Sequence, residues 1–388
     1  MPMLAIALLQ SVAIAAPSPE ATPDLTDDRT IVVIAPRAST TERALADCIA
    51  RGCSPKDEIA ASLAHAESQF LAGDYVASRR TLSKARSRNA RYAKTLPVEV
   101  SNLVRASGRL ASLNGRPDTA RITSIDTLDI LRDGFGAKDE RVLMQRLLIG
   151  DAMVKALRFD AAREIFNRVA KDAAETGQKV VEGHALLRIA VVYGVLASVD
   201  RGYAQRARSA ITRITRTDDP ALAPFREAAA TLQQRLAPGP KALAAAKAGV
   251  ATLPKGTRST VATLVYAPPV DLHGAPQSQS TTVALTGDAE PQWIDVAFRI
   301  TAEGTVRDVD VVRQSTNARG RWLELVEQSI AGRVYRPLAL AADSRGLARV
   351  ERYSLINDMT FAKGSRMQVR SSRPRLEVID LTLDVPPG

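Results

Sequence analysis

The sequence predicts an α+β multidomain protein, in which an all-α array of stacked helical hairpins is followed by a small two-layer α/β sandwich with an antiparallel sheet. Three observations carry that prediction. Turn-forming residues recur at a constant spacing through the Ala-, Leu- and Arg-rich middle of the chain. Hydrophobic periodicity changes from helical to alternating near Ala289. The chain is also long: 388 residues exceed what one core usually organises, so at least two folding units are required.

The first sixteen residues carry no charge and hold an apolar run, Leu4 to Leu9 and Val12 to Ala16, closed by Ala13-Ile14-Ala15 and then Pro17. About a dozen apolar residues are too few to span ~30 Å of hydrocarbon. Residues 1–16 therefore read as a signal peptide, removed on export to the periplasm. No Lys or Arg precedes the run, which leaves an uncleaved anchor in the inner membrane, facing the periplasm, as the runner-up. Residues 17–58 read as a flexible leader. It contains one β-branched run, Ile31-Val32-Val33-Ile34, able to pair as a strand where an edge is offered. It also contains Cys48 and Cys53, which a turn at Gly52 could close into a disulfide loop, as suits an exported protein.

Residues 59–253 carry the helical pattern. Leu63, Ala64, Phe70 and Leu71, then Gly73-Asp74-Tyr75, then Ala77, Leu82 and Ala85 describe two amphipathic helices joined by a tight turn. Equivalent turns fall at Asn114-Gly115-Arg116, Leu157-Arg158-Phe159 and Ser198-Val199-Asp200, about 42 residues apart. There are about four repeats, with a candidate fifth from Pro220 to Leu253. The junctions at Gly73-Asp74-Tyr75 and at Val154 to Ala162 resemble tetratricopeptide-type repeats. The period is longer than the usual 34 or so of that family, which implies longer helices.

Residues 254–288 form a Pro-rich linker through Pro254, Pro268 and Pro269 and the polar stretch Gln277 to Thr282. From 289 to 361 the period is two. Ile294, Val296, Phe298 and Ile300 alternate with Asp295, Ala297 and Arg299 as a strand with one buried face must. Glu303-Gly304 turns the chain into a second strand ending at Arg313. Trp322, Leu325, Val326 and Ile330 then make a helical stripe closed by Gly332, in which Trp322 belongs to the core. Leu347 to Ile356 returns as a third strand, and residues 362–388 read as a basic tail.

This order of elements resembles the C-terminal domain of the TonB energy-transducer family. The residues that carry the resemblance are Val296 to Ile300, Glu303-Gly304-Thr305-Val306, Val309 to Val312, Ser329-Ile330 and Arg333-Val334-Tyr335-Arg336-Pro337. They cover about a sixth of the chain, residues 291–354. The resemblance implies binding of an extended segment of an outer-membrane receptor as an added strand on a sheet edge. By that resemblance the edge is Leu347 to Ile356, and the peptide-binding residues are Trp293, Arg333, Tyr335, Arg336, Arg349, Glu351 and Tyr353. The chain departs from the family in lacking a Pro-rich spacer of Glu-Pro and Lys-Pro repeats. The leader's Asp28 to Val33 weakly resembles the peptide such domains recognise, which implies self-association through residues 31–33.

Lys and Arg outnumber Asp and Glu by 53 to 42, giving +11. Seven of these cations lie between residues 79 and 94, with Arg79, Arg80, Lys84, Arg88 and Arg91 as the patch; a solvated helix face is the simpler reading and peripheral membrane contact the functional one. Tyr92 alone interleaves it, so bases have no stacking platform and nucleic acid is excluded as a partner. Three His and two Cys leave no metal site, and no cofactor is expected. His65 and His184 sit inside repeat helices, His273 lies in the linker, and no nucleophile-base pair or phosphate loop occurs, so no catalytic residue is assigned. The expected function is a non-enzymatic periplasmic adaptor that binds proteins, among them outer-membrane receptors or other envelope proteins. An inner-membrane TonB-like transducer is the alternative.

Overall fold

The computed structural model describes residues 38–235, 244, 247–248, 250–251, 258–259, 261–272, 290–341, 344–361, 364 and 366–382. The expected signal peptide, the Ile31-Val32-Val33-Ile34 run, His273 and the Gln277 to Thr282 stretch lie outside the described residues.

The chain is an α+β protein, a helical array followed by a small antiparallel sheet region. Before the sheet the described residues form the helices α1 (Ala38–Ala50), α2 (Pro55–Leu71), α3 (Tyr75–Asn89), α4 (Pro97–Leu113), α5 (Pro117–Phe135), α6 (Glu140–Lys155), α7 (Phe159–Glu175), α8 (Lys179–Val199), α9 (Ala204–Thr215) and α10 (Ala223–Arg235), and residues 244, 247–248 and 250–251 are helical as well. Local sequence sets the boundaries. Ser54 caps α2 with Pro55 in its first turn, Asp74 caps α3, and Asp139 caps α6, each side chain accepting a backbone N–H. The hairpin turns require the left-handed region at Gly73 (φ 89°), Gly115 (φ 67°) and Leu157 (φ 59°). Glycine enters that region freely, whereas Leu157 does so at roughly 1 kcal/mol or more.

Close crossings explain the small residues. A side chain at Gly150 would strike the Phe166 ring and one at Gly183 would strike Phe225, so these glycines let α6 and α8 approach their partners. α8 is long and apolar enough to cross a membrane by length and composition. In the array it is the central helix, packed against α7, α9 and α10, and Val181, Ala185, Leu187, Ala190 and Val192 are buried.

The sheet region has four strands in the order β3-β2-β5-β8, all antiparallel: β2 (Gln292–Ile300), β3 (Val306–Gln314), β5 (Leu347–Ile356) and β8 (Arg375–Asp380). The Glu303-Gly304 turn joins β2 to β3, with Gly304 at φ 81°. Helix α11 (Trp322–Ala331), capped at Gly332, covers one face, and Trp322, Val326 and Ile330 pack there on Ile294, Val296, Phe298 and Tyr353. Two short pairs complete the region, β1 (Leu264–Tyr266) with β4 (Val334–Tyr335), and β6 (Met359–Phe361) with β7 (Gln368–Arg370).

Four expected boundaries change. The segment expected as a flexible leader is helical from Ala38, and α2 starts at Pro55, because the Cys48–Cys53 disulfide and the Ser54 cap fold the loop between α1 and α2 into the array. The expected linker contributes β1, and Val265 and Leu272 are buried against the sheet region. The expected tail supplies β7 and β8. The array and sheet also share a core: Trp293 and Ile356 from the sheet are buried with Ile59, Tyr75, Leu82 and Leu103 from the helices, so these units are not independent beads on a linker.

Candidate functional site

The strand expected to offer an open edge is closed. β5 pairs with β2 on one side and with β8 on the other, from Ile356↔Arg375 to Glu351↔Asp380. The closure continues past β8, where the Val350 amide donates to the Thr382 hydroxyl and the Leu381 amide to the Val350 carbonyl. β8 is in turn fastened to the array. Arg375 Nη2 donates to the Ser112 carbonyl at 2.8 Å, Lys155 reaches Glu377 at 2.8 Å, and Ile379 packs into the shared core. Burial disfavours the Glu377 charge, but Lys155 and Arg375 outweigh it and hold the carboxyl below its ordinary range. The expected acceptor edge is therefore corrected: the chain's own last strand fills it.

The seven residues assigned to peptide binding are used internally. Trp293 is buried, with its ring against Gly73, where an added Cβ would come within 2.3 Å. Arg333 Nη1 donates to Glu351 at 3.0 Å and to the Tyr335 hydroxyl at 3.1 Å, while Nη2 donates to Tyr353, whose hydroxyl donates to Glu351. Burial raises the Tyr353 phenol well above its ordinary range, and the neighbouring Glu351 carboxylate adds to the rise. This is a closed hydrogen-bonded cluster under α11 rather than an exposed frame. Arg336 pairs with Glu227 of α10 at 3.2 Å, and Arg349 with Asp380 of β8 at 3.5 Å. The structure brings together Arg333, Tyr335, Glu351 and Tyr353, with the Arg349 charge near enough to act on Tyr335, and leaves Trp293 and Arg336 apart from them.

Trp293 belongs to a second cluster that sequence reasoning missed. Arg352 and Asp295 are fully buried and joined by two bonds of 2.6 and 2.9 Å. Arg352 also donates to the Phe70 and Leu71 carbonyls at 2.7 and 2.9 Å, and its guanidinium lies 4.0 Å from the Trp293 ring centroid. Those carbonyls end α2, where the Phe70 oxygen also accepts the Gly73 amide at 2.9 Å and the helix dipole favours a cation. Arg313 on β3 supplies the second charge on Asp295, at 2.7 Å. The signal in the sequence was an aromatic, Trp293, on the face of β2 that alternation assigned to solvent.

The outer edge that remains is β3. Among the described residues, no backbone group from 307 to 314 hydrogen-bonds outside β2. Its register is irregular at two places and Asp308 is at φ 51°, features that limit uncontrolled pairing at an edge. Val312 stands 51% exposed on this strand.

The basic patch lies along α3 and the turn after it. Arg80, Lys84, Arg88 and Arg91 are exposed, Arg88 pairs with Glu58, and Arg91 lies over the Tyr92 ring. Arg79 is half-buried. Among the described residues, no group of three or more His, Cys, Asp and Glu is placed to hold a metal. His65 is buried between Thr41 and Gln69, bonded to each at 3.0 Å. Asp219 caps the turn before α10 through the Ala221 amide.

His184 packs edge-on against Phe225, and burial, with Arg188 second, lowers its imidazole to about 4. In the unfolded chain the same group protonates near 6.5 or so. Its contribution is therefore complete above the unfolded value and is lost as pH falls from there through the folded one. Replacing His184→Gln should shrink the fall in Tm between pH 7 and pH 4.5, measured by thermal scans; parallel Tm curves for the two proteins would contradict this.

The fold defines a class, an α+β protein whose helical array carries a small antiparallel sheet on its turn ends. No protein-family model matches the chain, and no curated protein matches it. Among solved structures, BtubC (BKLC) from P. vanneervenii is similar at 15% identity and a TM-score of 0.40, over 58% of this chain and 95% of that one.

Proposed function

We propose that this chain is a non-catalytic periplasmic adaptor that joins protein partners, combining tetratricopeptide-like hairpins with a TonB-type sheet that accepts an extended segment as an added strand. The observation that carries the reading is the outer edge of β3, a row of main-chain groups with no partner among the described residues. Main-chain bonding supplies affinity on such an edge, and alternate side chains supply selectivity. Acceptance moves from β5 to β3, because β8 fills the β5 side. The Cys48–Cys53 disulfide supports an oxidising compartment. The fixing of the sheet to the first hairpin through Arg352 supports a rigid scaffold that holds two partners at a set separation.

The test is a photo-crosslinking side chain at Val312 in intact cells, combined with osmotic-shock fractionation. A protein adduct at Val312 in a shock-released chain is the expected result. Retention in carbonate-washed membranes together with no adduct at Val312 overturns the reading.

A further inference from the structure

We infer that the outer face of α3, together with the exposed isoleucines of the neighbouring α5, is a docking surface for an anionic lipid bilayer. This goes beyond the adaptor reading and does not depend on it.

The first argument is the charge pattern. Arg80, Lys84, Arg88 and Arg91 recur at intervals of four, four and three along α3 and the turn after it, the spacing that keeps side chains on one helix face. All four are exposed, and together they span about 16 Å. No Asp or Glu occurs between Asp74 and Glu99, so no acid interrupts the stripe. Among the described residues, only Arg88 of the four pairs with an acid, Glu58. Like charges one turn apart on a helix repel each other, and an anionic surface relieves that repulsion.

The second argument is the apolar neighbour. Arg86 reaches Asp126 at 3.9 Å, which sets the flanks of α3 and α5 side by side. Ile122 lies one turn before Asp126 on the same side of α5, and Ile125 is next to Asp126 in sequence; the two isoleucines are 52% and 40% exposed. The acids of α5 do not oppose the stripe, because Asp118 pairs with Arg121, Asp126 with Arg86, and Asp129 and Asp133 with Arg132. A bilayer surface matches both features: headgroup phosphates take the cations, and the boundary below them takes apolar side chains. A soluble polyanion would satisfy the cations and leave the isoleucines in water. Tyr92 suits the same boundary, since it is half-buried, its ring lies 4.8 Å from the Arg91 guanidinium, and its hydroxyl accepts from Arg91 at 2.8 Å.

The third argument is access. α3 begins at the Gly73 turn, where Trp293 packs, and ends just past Arg88, about 20 Å away. The stripe therefore leads away from the sheet, so lipid contact and the outer edge of β3 use different residues.

Flotation of the full exported chain with vesicles tests the inference. Vesicles of equal parts phosphatidylglycerol and phosphatidylcholine should carry the chain upward at low salt and release it at high salt. Arg80→Gln combined with Lys84→Gln should lower the partition coefficient by about tenfold or more. Ile122→Ser alone should lower it by about fivefold. A charge-matched control, Arg213→Gln with Arg216→Gln on the exposed side of α9, should bind as the parent does. An equal loss in that control overturns the inference, because net charge alone would then set binding. Unchanged binding in the Arg80 and Lys84 variant overturns it, as does equal binding to pure phosphatidylcholine. If polyphosphate displaces the vesicles and Ile122→Ser binds them normally, a soluble polyanion is the partner and the inference again falls. None of these outcomes touches the strand edge, so the Val312 crosslink stands or falls separately.

Discussion

Replacing Arg352 with alanine should destabilise the protein by about 3–5 kcal/mol, the loss expected when one partner of a buried ion pair is removed. Arg352 is fully buried and satisfies three separate acceptors: Asp295, and the Phe70 and Leu71 carbonyls at the end of α2. Its removal leaves those carbonyls without this donor and Asp295 with Arg313 as its remaining cation, itself 40% exposed. The guanidinium also lies over both Trp293 and Phe70, so the flat contact between sheet and first hairpin is lost with the charge. Arg352→Lys should rescue little, because an ammonium cannot present a planar fork to a carboxylate and two carbonyls together. Chemical denaturation followed by the fluorescence of Trp293 and Trp322 would measure the effect. A loss below about 1 kcal/mol would mean that the network does not hold the sheet to the array.

The array was legible because its information is local. Glycine at 73 and 115 and the Pro and Asp residues that open helices mark boundaries within a few positions, and the constant spacing identified Leu157 as a turn without a glycine. The β2–β3 hairpin, α11 and β5 were legible for the same reason, since period and turn chemistry set them. The sheet's neighbours were not legible. Strand alternation says which residues share a face, but not which face meets another unit, so Asp295 was assigned to solvent although it is fully buried. β8 was hidden by its composition. Charged residues such as Arg373 and Arg375 made the segment read as a basic tail, whereas Arg375 and Glu377 bind the array and leave Leu376, Val378 and Ile379 to fill the strand. The same gap displaced the candidate site, because the side chains expected around a peptide are occupied within the chain: Arg333, Tyr335, Glu351 and Tyr353 by one another, Trp293 by Arg352 and the Gly73 turn, Arg336 by Glu227 and Arg349 by Asp380.

A chain ended at Ser372 should show what β8 does. The truncation removes the ion pair to Lys155, the Arg375 bonds to Ser112 and the Ile379 contact, and it bares β5 from Val350 to Ile356. Single large-to-small changes in a core cost about 2–5 kcal/mol, so losing a whole strand should remove roughly 5 kcal/mol or more, comparable with the stability of a domain. The exposed β5 edge would then carry Tyr353 and Leu355 on a regular, nine-pair ladder with β2, without the irregularities that protect β3. The truncated protein should therefore form dimers or larger species by light scattering. A peptide of residues 374–382 should return it to monomer and raise its Tm. A monomeric truncation with unchanged Tm would show that β8 is a dispensable cover and that β5, not β3, remains available to a partner. The two edges thus differ in kind: β5 is closed by a strand tied to the helical array, and β3 keeps an irregular outer edge with no main-chain partner among the described residues.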